Sequence, residues 1–170
     1  DLHVLKFMTF IHEYKKLTHF IAQRKKWREY NSYSQFKEGT CRHTQRAMAQ
    51  NIKSKKSNHR PGRNFTKYCT VSTGEKYTAV NIQHTNTIEV RVFKGNLREV
   101  SFRKNIEYLD ALYYWTQNTP LNKLDIVKFG QYMVDNKKKY PNLNIYIEER
   151  NKDYKECMNF SKEIPEELNI

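Results

Sequence analysis

Three short runs set what this chain is expected to build. Phe65 to Val71, Tyr77 to Ile82 and Thr87 to Phe93 are rich in β-branched and aromatic residues, with the turn-forming Ser72-Thr73-Gly74 and His84-Thr85-Asn86 between them. Such side chains suit a pleated, half-buried surface and such clusters suit reversals, so the pattern predicts an antiparallel three-strand meander that Lys94-Gly95-Asn96 closes. The flanks read differently. Phe7, Phe10, Ile11, Tyr14, Leu17, Phe20 and Ile21 recur at steps of three and four, which predicts an amphipathic helix to about Gln23, after a short buried strand over Leu2-His3-Val4-Leu5. A weaker helix is expected over Thr44 to Ile52. Beyond the meander, a helix from Arg98 to Thr116 would bury Phe102, Ile106, Leu109, Leu112 and Trp115, and another from Lys123 to Val134 would bury Ile126, Phe129 and Met133.

Pro141 is expected to break the chain ahead of the short apolar stretch Leu143 to Ile147, and Glu148 to Glu167 reads as a fraying acidic helix. Strands followed by helices argue for an α+β fold, an antiparallel sheet with helices packed on one face. A length of 170 residues supports one domain, taken as residues 1–150 with a basic loop at 53–63 and an acidic C-terminal tail at 151–170. Apolar residues make up only 38 % of the chain and aromatics 14 %, so the core must lean on rings. No apolar run approaches the roughly 18 residues of a membrane span, so no membrane is expected. The start, Asp1-Leu2-His3-Val4, carries no initiator Met and reads as a later part of a longer product.

Lys and Arg number 31 against 18 Asp and Glu, a surplus of +13 that calls for an anionic partner: phosphate-bearing ligands, nucleic acid or an acidic protein surface. Cys41, Cys69 and Cys157 are odd in number and have no CxxC spacing, which reads as reduced thiols in a cytoplasmic protein. There is no HExxH, no Gly-rich phosphate loop and no GxSxG, so zincin, dinucleotide, P-loop and hydrolase chemistry have no support. His12 and His19, seven apart, have the wrong spacing for a helical metal pair.

The most informative segment is Asn86-Thr87-Ile88-Glu89-Val90-Arg91-Val92-Phe93-Lys94-Gly95. On a strand, Glu89 and Arg91 share one face at a separation of about 6.6 Å. A carboxylate offers a hard oxygen ligand for a divalent cation and a guanidinium offers a forked donor for phosphate, though by pattern alone such a pair is more often a plain ion pair on a solvated sheet.

This segment, with Tyr77-Thr78-Ala79-Val80-Asn81-Ile82 before it, resembles the amidoligase family of bacteria and phages, which carries an arginine-tyrosine-x-alanine-valine-asparagine-leucine strand followed by a glutamate-phenylalanine-arginine-isoleucine-phenylalanine-lysine-glycine strand. Leu2-His3-Val4 is similar to that family's first strand, Phe20-Ile21-Ala22-Gln23-Arg24 to the segment after its next helix, and Tyr140-Pro141-Asn142-Leu143 to its final proline turn. The resemblance implies the C-terminal half of a glutamine-synthetase-like domain, in which ATP and Mg act on an amino-acid or peptide carboxylate. It implies Glu89 and His3 as metal ligands, and Arg91 and Lys76 as catalytic contacts to the transferring phosphate. Asp1, Leu5 and Lys76 depart from the family's histidine, serine and arginine, and the earlier strands with further glutamates are not in these residues. One Glu and one His make a poor Mg site by themselves, which leaves open a degenerate, non-catalytic protein or one completed by homo-oligomerisation.

A competing expectation comes from the basic segments. Arg24, Lys25, Lys26, Trp27 and Arg28, then Lys53, Lys55, Lys56, Arg60 and Arg63, interleave cations with rings as single-strand binders do. The alternative expectation is therefore a basic protein, of phage or mobile-element kind, that grips nucleic acid or a nucleic-acid-binding complex.

Overall fold

The computed structural model describes residues 2–23, 79–81 and 87–158. They form α1 (Leu2–Glu13), α2 (Lys15–Ala22), β1 (Val80–Asn81), β2 (Glu89–Val90), α3 (Glu99–Asn118), α4 (Ile126–Asp135), α5 (Pro141–Glu149) and α6 (Asn151–Met158), with a 3-10 turn at Leu121–Lys123. The expected antiparallel sheet, and with it the α+β class and the glutamine-synthetase-like half domain, is overturned: the described chain is mostly helical. Among the described residues the meander is represented by one two-residue antiparallel pair, Val80 opposite Val90 and Asn81 opposite Glu89. A β-branched run reports fitness for a half-buried surface, not the presence of strand partners. Here Val90, Val92 and Phe93 turn that surface onto helices. The first expected strand, Phe65 to Val71, lies outside the described residues, as do the helix expected over Thr44 to Ile52 and the basic loop at 53–63.

Helix α3 is the axis of the bundle, with α1, α2, α4 and α5 against it, while α6 packs on α2, α4 and α5. The core is aromatic, as a chain poor in aliphatics requires. Phe10 meets Phe129, Tyr14 and Trp115 at ring-centroid distances of 4.9, 4.7 and 5.3 Å, and Tyr108 approaches Phe129 at 6.0 Å. Edge and tilted contacts of this kind add roughly 0.5–1.5 kcal/mol per pair beyond area burial. The three- and four-residue stripe from Phe7 to Ile21 is the buried stripe of α1 and α2, but helix begins at Leu2 where a strand was expected. A four-residue run with three apolar members, Leu2, Val4 and Leu5, does not distinguish a strand from the first turn of a docked helix. Tyr14 separates the two helices, and its buried hydroxyl donates to Leu124 O at 3.0 Å.

The stripe expected on α3 is also corrected. Leu112 and Trp115 are buried, but Phe102 and Ile106 are 59 % and 51 % exposed, and the N-terminal half of the helix buries Lys104 and Tyr108 instead. Pro141 starts a helix rather than ending one. It occupies the first turn of α5, where a missing N–H costs nothing.

Most of these helices are eight to twelve residues long, too short to persist alone, and several are capped by residues from other helices. Asp125 is a local cap, accepting the Lys128 N–H at the start of α4 at 2.9 Å. At α5 the cap comes from α3, whose Glu107 carboxylate accepts the Leu143 N–H at 2.7 Å and the Asn142 side chain at 2.6 Å. The last turn of α3 carries no basic residue, and α1 supplies one: Lys6 Nζ donates to Gln117 O and Thr119 O at 3.0 and 2.9 Å.

Candidate functional site

Glu89 and Arg91 lie together on β2 and the residue after it, on the face away from Val90 and Val92, and they face each other. Arg91 Nε donates to Glu89 Oε1 at 2.7 Å and its second guanidinium nitrogen to Oε2 at 2.8 Å, a bidentate pair open to solvent. Both carboxylate oxygens are thus taken by the guanidinium, and an exposed pair of this kind contributes about 1 kcal/mol or less.

His3 is elsewhere, on helix α1. Its Nε2 lies 2.9 Å from Tyr113 O and 3.2 Å from Thr116 Oγ1, and its ring stacks edge-on against Tyr113. A carbonyl only accepts, so Nε2 carries the proton. Burial lowers the imidazole pKa against the opposing pull of the Tyr113 carbonyl, and nearby Lys6 lowers it further. His3 is therefore a neutral tether between α1 and α3. Among the described residues no three His, Cys, Asp or Glu side chains come together to hold a metal. Among the described residues Glu89 and His3 are not brought together for a Mg–ATP site, since Glu89 pairs with Arg91 and His3 bonds to α3; Lys76 lies outside the described residues. His12 and His19 fall on separate helices.

The strand pair has a second role. Val92 packs in one buried cluster with Ala22 and Ala79, the Lys94 N–H donates to Ala22 O at 3.1 Å, and the Arg91 N–H donates to Ala79 O at 2.9 Å. One short stretch, residues 91–94, therefore holds both ends of the described chain that bracket residues 24–78. Asn96 reinforces this junction, its amide nitrogen 3.4 Å from Gln23 Oε1 and its Oδ1 accepting the Arg98 N–H at 2.9 Å. Exposed Lys94 and Arg98 stand beside it.

No protein-family model matches the chain, and no curated protein and no solved structure is significantly similar to it. The amidoligase likeness therefore rests on its residues alone, without the sheet it implied. The candidate nucleic-acid residues Arg24, Lys25, Lys26, Trp27, Arg28, Lys53, Lys55, Lys56, Arg60 and Arg63 all lie outside the described residues.

Sequence reasoning missed the junction's most unusual member. Lys104, on α3, is fully buried; its Nζ donates to Ile21 O and sits 4.3 Å from the centre of the Tyr146 ring, over which the Arg150 guanidinium also lies, at 4.7 Å. Burial, with Arg150 adding to it, pushes the ammonium down to about 8. The signal was present as a lysine one helical turn before Tyr108 on what proves to be the inward face, but a lysine in a helical pattern reads as solvated. No helix among the described residues is long and apolar enough to cross a membrane.

Proposed function

We propose that this chain is a nucleic-acid-binding protein of the cytosol, in which the helical bundle serves as a base for a basic, aromatic segment spanning residues 24–78. One observation carries the reading: the charge is segregated. Residues 24–78 hold 14 Lys or Arg against three Glu, a surplus of 11, whereas the described residues hold 16 cations against 11 acids. A solvated surface spreads its cations; a surplus collected in one stretch with Trp27, Tyr30, Phe36, Phe65 and Tyr68 among them suits phosphate contacts plus base stacking. The junction supplies the base, because Ala22 and Ala79, the described residues on either side of this stretch, are both bound to residues 91–94. Three cysteines without CxxC spacing favour a reducing compartment.

Titration of a fluorescent single-stranded oligonucleotide from about 50 to about 200 mM salt tests this. With six to eight phosphate contacts, at ~0.7 per contact for a single strand, the log–log slope of affinity against salt should be on the order of −4 to −6. Charge reversal at Lys55 and Lys56 together should weaken binding and lower that slope by about 1.4. A slope near zero, or binding untouched by the double reversal, refutes the proposal.

A further inference from the structure

The last three carbonyls of α2 have no next helical turn to satisfy them, because Gln23 takes the left-handed conformation at φ 59° and turns the chain away. Each is met by a different part of the molecule. Phe20 O accepts from the Gln23 N–H at 3.3 Å and from the Tyr146 hydroxyl of α5 at 2.7 Å, Ile21 O from Lys104 of α3, and Ala22 O from the Lys94 N–H that follows β2. A left-handed glutamine is a strained residue that persists only when its surroundings hold it, and here three elements do.

The choice of lysine is informative. A methionine fills the same volume without carrying an ammonium out of water, so the distinguishing gift of Lys104 is its charge-assisted bond to the negative end of α2. Tyr146 ties that bond to α5: its hydroxyl holds one carbonyl of α2 while its ring carries the ammonium that holds the next.

We propose that the C-terminal turn of α2 is a latch, closed by Lys104 and Tyr146, which fixes where the basic segment begins and thereby sets how tightly that segment grips nucleic acid. The coupling to affinity rests on the function proposed above; the latch itself does not. Both are positioning residues.

Native-state amide exchange reads the latch directly, since the Gln23 and Lys94 N–H groups sit on it while Tyr14 and Phe129 N–H groups report the bundle. Lys104→Met and Tyr146→Phe should each speed exchange at Gln23 and Lys94 by about tenfold with Tyr14 and Phe129 unchanged. Unchanged protection at Gln23 and Lys94, or loss in step with Phe129, overturns the latch. Should Lys104→Met not fold, Tyr146→Phe decides alone, because it keeps the ring in place. An oligothymidylate titration of the same variants completes the test: an affinity loss of about threefold or more supports the coupling, and an unchanged affinity with an opened latch overturns it. A parent protein that binds no oligonucleotide removes the proposed function, and the exchange data still judge the latch.

Discussion

Lys6 and Lys104 both leave water to cap a helix that is not their own, yet they do so at opposite ends of α3 and in different company. Lys6 retains 7 % exposure and serves two carbonyls, Gln117 O and Thr119 O, at the helix end, whereas Lys104 retains none and serves a single carbonyl beside the Arg150 cation. Burial lowers both pKa values, and only for Lys104 does a neighbouring cation add to it, taking the ammonium to about 8. A capping lysine is thus inexpensive at a rim and costly inside a bundle, and the inner one is kept where the chain leads into its most basic stretch.

The comparison is broken most forcefully by truncation. Lys104→Ala removes a long stem from the contacts of Tyr146 and leaves Ile21 O without its donor, so unfolding in urea should report a loss of roughly 2–4 kcal/mol. Truncation of Lys6 should cost far less, and equal losses would erase the distinction between the two ends.

Alkaline titration sharpens it. Folding lowers the Lys104 pKa from 10.5 to about 8, so between those values the unfolded chain holds the extra proton and stability must rise with pH. The expected gain is roughly 1 kcal/mol per pH unit from about pH 8 to about 9.5, below the range where tyrosines with raised pKa act in the opposite sense. Lys104→Met should flatten that slope and Lys6→Met should leave most of it; a slope that survives Lys104→Met assigns it to another group. At the outer end, Lys6→Met should cost about 1 kcal/mol through the uncapped last turn of α3, measurable as a lower urea midpoint with unchanged m-value. The smallest effect belongs to Gln23→Gly. Glycine accepts the left-handed conformation without penalty, and stability should rise by about 0.5–1 kcal/mol, read as a higher urea midpoint.

Much of the helical layout was legible. The stripe from Phe7 to Ile21, the stripe Ile126, Phe129 and Met133, and the extent of α3 follow from periodicity, because a 3.6-residue repeat of large apolar groups has few other solutions. What misled was the segment around Glu89 and Arg91. Its alternation is real, with Val90 and Val92 inward and Glu89 outward, but the surface receiving it is helical and not a sheet. The likeness to a metal-binding strand stopped at the pairing itself: two groups of opposite charge on one face satisfied each other. His3 was read into a strand because a run of only four residues, Leu2 to Leu5, carries no period.

The amino-acid sequence alone determined that this chain would lean on rings in its core, repeat them at helical spacing in its flanks, and gather most of its surplus positive charge between residues 24 and 78, since composition and spacing are properties of the string. Only the tertiary structure decided which face of α3 is inward, because that helix carries apolar residues on both. It also decided that Lys104 and Lys6 would leave water, since the carbonyls that reward them are exposed by the ends of other helices, far away in sequence.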